Sequence, residues 1–112
     1  MKLTDSPEWQ ALKDHFETNK FINLRELFNN DPTRGKRFSV QACDIYADYS
    51  KNLVSDETMQ LLFNLLRSRN VESMREAMFN GEKINFTENR AVLHTALRNQ
   101  SDSPVYVDGV DV

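Results

Sequence analysis

The sequence predicts a mixed α and β fold, mostly helical, with five helices and two short strand pairs. Three features carry that expectation: capping residues standing just ahead of apolar runs at helical spacing, a switch to strict alternation after Arg37, and an Asp-Gly dipeptide between two short apolar runs near Val112.

The first helix is expected over residues 7–18. Ser6 offers a capping hydroxyl, Pro7 suits the first helical position because its missing N–H would be unpaired there anyway, and Trp9, Leu12 and Phe16 fall on one face. A second helix, 24–30, starts after Asn23, with Glu26 placed for a capping-box exchange and Ile22 able to pack on Leu27. Asn29-Asn30-Asp31-Pro32 stops it, since a residue before proline avoids the helical region.

Thr33-Arg34-Gly35-Lys36-Arg37 reads as a solvated connection. The cluster is basic and contains a glycine, but it lacks the spacing and the Lys-Ser/Thr ending of a phosphate-cradling loop. Phe38, Val40 and Ala42 then alternate with Ser39 and Gln41, predicting a strand over 38–42. Ile45, Ala47 and Tyr49 predict another over 45–49, paired with the first although no glycine marks the turn.

Ser55 caps a third helix, 56–69, with Asp56 and Glu57 at the positive end of its dipole. Met59, Leu62, Phe63 and Leu66 form its apolar stripe, which Leu61 and Leu65 widen beyond a normal surface helix. Such a helix is expected to be buried against more than one neighbour. Val71, Met74 and Met78 mark a fourth helix over 71–80, which Gly81 closes. A fifth is expected over 88–98, with Thr87 as its N-cap, Glu88 in its first turn and Leu93, Ala96 and Leu97 at helical spacing. The polar run from Asn99 to Pro104 is a loop. Strands over 105–107 and 110–112 flank Asp108-Gly109, a pair that favours a type I′ turn. The second of these strands reaches the last residue, so the expectation is a piece of a longer protein.

With 112 residues, 39% of them hydrophobic and 28% charged, the composition is that of an ordinary soluble globular chain. A formal charge of −3 argues against a generic nucleic-acid binder. The single cysteine, Cys43, has no internal disulfide partner, which fits a reducing compartment; a buried thiol in or beside a strand is the expected role. The first twenty residues interleave charged and apolar positions, so neither a signal peptide nor a membrane span is expected. Asn85-Phe86-Thr87 and Asn99-Gln100-Ser101 fit the glycosylation pattern, which a cytosolic chain would leave unused.

The histidines are the first places to look for chemistry. His94 stands four residues from both Arg90 and Arg98, and the reading preferred over a catalytic base is a half-buried histidine beside two solvated or ion-paired arginines. His15 has no cluster around it and is expected on the surface of the first helix. The two lack metal-ligand spacing. Asp48-Tyr49-Ser50-Lys51-Asn52 combines a lysine, an aromatic ring and a hydroxyl, but the structural reading is favoured, with Tyr49 on a core face and Asn52 in the turn towards Ser55.

Three blocks, Asp48 to Asn52, Gly81 to Asn99 and Val107 to Val112, resemble in order and spacing the N-terminal portion of the glucose-6-phosphate isomerase family. The similarity runs thinly through the helices between Pro7 and Asp31. The resemblance implies that residues 1–112 are the N-terminal segment of a longer aldose–ketose isomerase of glycolysis and gluconeogenesis. The parent would be a three-layer α/β/α sandwich with sugar-isomerase domains, acting through an enediol without metal or organic cofactor. It would be a cytoplasmic homodimer taking a sugar phosphate, with neither nucleic acid nor membrane as partner. In that family a glutamate, a histidine and a lysine move the protons and a serine- and threonine-rich loop holds the phosphate. All belong to sequence beyond Val112, so no catalytic, cofactor-binding or metal-binding residue is assigned within the chain. The alternative is an independent helical interaction module that docks a partner on the stripe from Leu61 to Leu66.

Overall fold

The computed structural model describes residues 1–112. Its element order is a 3₁₀ turn (Leu3–Asp5), α1 (Pro7–Asn19), α2 (Leu24–Asn30), α3 (Arg34–Arg37), β1 (Ser39–Ala42), β2 (Ile45–Asp48), α4 (Asp56–Ser68), α5 (Val71–Phe79), α6 (His94–Leu97), β3 (Tyr106–Val107) and β4 (Val110–Asp111). The class is α+β, helices with two separate two-stranded antiparallel sheets. The chain divides into two compact units, Met1–Leu65 and Leu66–Val112.

In the first unit the caps are where the sequence places them. Ser6 Oγ accepts from the Trp9 N–H at 3.3 Å and donates to the Leu3 carbonyl at 2.7 Å, and Pro7 opens α1. Asn23 Oδ1 accepts from the Glu26 N–H at 3.0 Å. At Ser55 the exchange is reciprocal: Ser55 Oγ accepts from the Thr58 N–H, and Thr58 Oγ1 accepts from the Ser55 N–H, so Thr58 plays the part that Glu or Gln has in the usual capping box.

The expected open turn at Thr33 to Arg37 is instead a helical turn. Asp31 Oδ1 accepts from both the Thr33 N–H at 3.0 Å and its hydroxyl at 2.6 Å, which starts the chain on a helical course. Phe38, expected to begin the strand, closes α3 with its N–H on the Arg34 carbonyl and is the one buried apolar side chain, 4% exposed. Its ring meets Tyr49 edge-on, with centroids 5.6 Å apart.

Strands β1 and β2 pair as Ser39 with Asp48, Val40 with Ala47, Gln41 with Tyr46 and Ala42 with Ile45. Opposed residues share a face, so Val40, Ala47, Ala42 and Ile45 lie together on one side of the ribbon. The turn is built from Cys43 at φ 50° and Asp44 at φ 60°, which gives the hairpin its geometry without glycine. The Cys43 thiol, expected to be buried, is exposed because the turn carries it to the tip. Holding Asp44 in the left-handed region has a cost. Asp44→Gly is expected to raise stability by about 1 kcal/mol, measured as a shift in the urea midpoint.

The second unit turns on Gly81. Its N–H reaches the Met78 carbonyl at 3.2 Å and the Glu82 N–H reaches Ala77 at 3.0 Å, the paired bonds of a Schellman end to α5. Val107 pairs with Val110 and Tyr106 with Asp111, around Asp108 at φ 51° and Gly109 at φ 78°, as the Asp-Gly dipeptide predicts.

The long helix expected over 88–98 is absent: only residues 94–97 are helical. Asn85 takes control of the segment. Its side-chain oxygen accepts from the Thr87 hydroxyl at 2.9 Å and its backbone pairs with Arg90 in both directions, while Asn89 sits at φ 53°. Thr87 is thus a turn residue and not an N-cap. No apolar residue lies between Thr87 and Arg90 to reward a helix there.

Candidate functional site

A buried polar cluster surrounds Arg34, 3% exposed. Helix α3 aims its guanidinium across the end of β2, where Nε donates to the Ser50 carbonyl and an NH2 nitrogen to the Asn52 carbonyl, both at 2.8 Å. The cation stacks over the Phe38 ring at 4.5 Å, with Phe28 at 5.8 Å. Asp48 Oδ1 accepts from the Ser50 N–H at 2.9 Å, so Ser50, 2% exposed, is held from both sides. Asp48 to Asn52 is therefore a clamped turn, with Lys51 left exposed between pinned neighbours. Arg34, expected within a solvated connection, is instead buried, because two backbone carbonyls accept from its guanidinium and the Phe38 ring stacks on it.

Hydrogen bonds from Ser50, side chain first and then backbone, hold the Asp48 carboxyl below its ordinary range, with Lys51 adding to the effect. The Thr33 hydroxyl does the same for Asp31, helped by its N–H and by Arg37 and Arg34. The Arg37 guanidinium is raised in turn, chiefly by its hydrogen bond to Asp56. Depressed carboxyls stabilise the fold above their unfolded pKa of about 3.9, and that contribution disappears as the pH falls through the folded values. The urea midpoint is accordingly expected to be insensitive to these two groups between pH 7 and 5 and to drop below about pH 4, with a smaller drop in Asp48→Asn.

The two histidines exchange the expected environments. His15, expected on the surface, has a side chain 9% exposed, with Nε2 2.7 Å from Thr58 Oγ1 and Nδ1 3.2 Å from Asn19 Nδ2 and 3.6 Å from Glu57. A histidine between a hydroxyl and a carboxylate has the outline of an activated nucleophile. The hydrogen-bond network assigns a tautomer that does not suit that role. Asn19 Nδ2 also donates to the His15 carbonyl at 2.9 Å, which fixes the amide and makes Nδ1 an acceptor; Nε2 therefore carries the proton and donates to Thr58. In this tautomer His15 cannot accept the proton of the Thr58 hydroxyl. Its role is to tie α1 to the start of α4. No sequence signal marks it, since its partner lies 43 residues away.

His94, expected to be half-buried, is exposed on α6. Arg98 donates to its carbonyl at 3.2 Å, and Arg90 is engaged through its backbone with Asn85. The turn at Asn85 thus breaks the helical spacing from Arg90 to His94. No group of three metal-ligating side chains is gathered anywhere, and no helix is long and apolar enough to cross a membrane.

The family model for phosphoglucose isomerase matches residues 48–112, beginning at the clamped turn and including Gly81 and the second hairpin. The chain belongs to the phosphoglucose isomerase family. It is 54% identical over 110 residues to the glucose-6-phosphate isomerase of Deinococcus deserti. It is 52% identical over 110 residues to glucose-6-phosphate isomerase 1 of Neisseria gonorrhoeae and 49% identical to the Roseiflexus castenholzii protein. Each match covers 98% of this chain but 20% of the relative. The chain thus spans about a fifth of the length of these phosphoglucose isomerase family members.

Proposed function

We propose that this chain is the N-terminal segment of a glucose-6-phosphate isomerase, which interconverts glucose 6-phosphate and fructose 6-phosphate through an enediol in glycolysis and gluconeogenesis. The observation that carries this reading is identity near one half across 98% of the chain to relatives bearing that name. The proton-transfer groups and the phosphate loop belong to the remaining polypeptide, and the reaction needs no metal or organic cofactor. The parent is a cytoplasmic homodimer of three-layer α/β/α architecture. Within it the segment is a structural part, a reading supported by Arg34 and His15 being engaged in holding the backbone and neighbouring side chains.

A coupled assay converting fructose 6-phosphate to glucose 6-phosphate tests the proposal. The isolated 112-residue chain is expected to show no turnover above a mock-purified control. The product of the longer coding sequence is expected to turn over. Activity in the isolated chain would place catalytic groups within it, with His94, Arg90 and Lys51 the first to substitute. A second reading, an independent interaction module, is favoured by the exposure of Leu62, Phe63 and Leu66 on α4. A stop codon directly after Val112, with a compact monomer that binds no apolar dye, would establish it over the isomerase.

A further inference from the structure

We infer that one face of the β1–β2 hairpin is a docking surface for the rest of an isomerase subunit, covered by the polypeptide that follows this segment in the same chain. The inference rests on the isomerase reading and adds a specific contact to it.

The face is made by two cross-strand pairs, Val40 with Ala47 and Ala42 with Ile45, all four apolar and all four exposed. Val40 is 55% exposed and Ile45 67%. The opposite face carries Ser39, Gln41 and Asp48 with Tyr46, so the ribbon is sided in the manner of a sheet that packs on one layer. Nothing in the Met1–Leu65 unit supplies that layer, because the sheet has only two strands and the buried Phe38 lies ahead of it. A two-stranded ribbon with a bare apolar face is marginal in water by itself. The clamp at Ser50 and Asn52 nevertheless fixes the end of β2, so the face is presented in a set orientation within its unit.

The same-chain occupant follows from length and tethering. Relatives that match nearly all of this chain carry four fifths of their length outside the match. A covalently attached partner acts at an effective concentration on the order of millimolar, so it outcompetes a free second copy for the same apolar face.

The test uses a chimera in which this chain replaces the matching fifth of the Deinococcus deserti isomerase. In hydroxyl-radical footprinting, Val40 and Ile45 are expected to be oxidised in the isolated chain and protected in the chimera. Val40→Asp with Ile45→Asp is expected to lower the chimera's Tm by at least about 5 °C, because the charges would be buried unpaired. The same pair in the isolated chain should leave its circular dichroism unchanged, since the face is already in water. If the aspartate chimera does not express, Val40→Thr with Ile45→Thr keeps the strand preference and should lower Tm by a smaller, measurable amount. Oxidation of both residues in the chimera, or an unchanged Tm, overturns the docking. Protection in the chimera that is lost on dilution assigns the face to a second copy and overturns it too. Turnover of the unsubstituted chimera is read separately: a folded, protected but inactive chimera counts against the isomerase reading and leaves the docking standing.

Discussion

Gly81→Ala is expected to destabilise the Leu66–Val112 unit by on the order of 3 kcal/mol. Two effects combine at this position. Gly81 has φ 75°, a conformation that costs an L-residue roughly 1–2 kcal/mol. A Cβ there would also collide with the Tyr106 carbonyl oxygen and stand 3.2 Å from Val107 Cγ2. The first obstacle is backbone, held in register by the pairing of Tyr106 with Asp111, so it cannot swing aside as a side chain would. Either the Schellman end of α5 opens or β3 moves away. Hydrogen exchange at the amides of Glu82 and Val112 distinguishes these outcomes, and the urea midpoint gives the size. Gly109→Ala is the control: φ is 78° but nothing lies within 4 Å, so only the conformational part, about 1 kcal/mol, should be lost. Equal effects at the two glycines would show that the contact with Tyr106 is unimportant.

Arg34→Met should cost about 3 kcal/mol in the other unit. Methionine fills much of the space between Phe28 and Phe38, so the loss reports the guanidinium itself. Two charge-assisted hydrogen bonds go, and the Ser50 carbonyl is left inside without a donor. Arg34→Lys should recover only part of this, because one ammonium cannot reproduce a planar fork that serves two carbonyls while lying flat on a ring. Urea unfolding of the three proteins measures the series. A methionine variant within about 0.5 kcal/mol of the parent chain would remove the clamp from this account.

Much of the fold is legible in local chemistry. Ser6, Asn23 and Ser55 cap helices because a short polar side chain ahead of an apolar run has one good use, and Gly81 and Asp108-Gly109 shape the backbone as their conformational preferences dictate. What escaped the sequence is decided at longer range or by competition. His15 and Thr58 meet across 43 residues, Arg34 reaches 16 and 18 residues along the chain, and neither distance leaves a periodic trace. Between Thr87 and Arg98 two local preferences compete. The helical spacing of Leu93, Ala96 and Leu97 is real, but the Asn85 turn captures the residues that would have started the helix. The internal role of Arg34 likewise depends on carbonyl partners that no local pattern announces.

The left-handed turn at Cys43 and Asp44 also bears on the speed of folding. Arg34 and its acceptors at Ser50 and Asn52 enclose the whole β1–β2 ribbon, so the ends of that loop approach each other cheaply once the ribbon has zipped. At the tip two residues with side chains must both enter a sparsely populated conformation for Ala42 and Ile45 to pair. The conformational cost at Cys43 and Asp44 is therefore added to closing the loop that Arg34 clamps, and faster refolding of Asp44→Gly in stopped-flow urea dilution is the expected consequence.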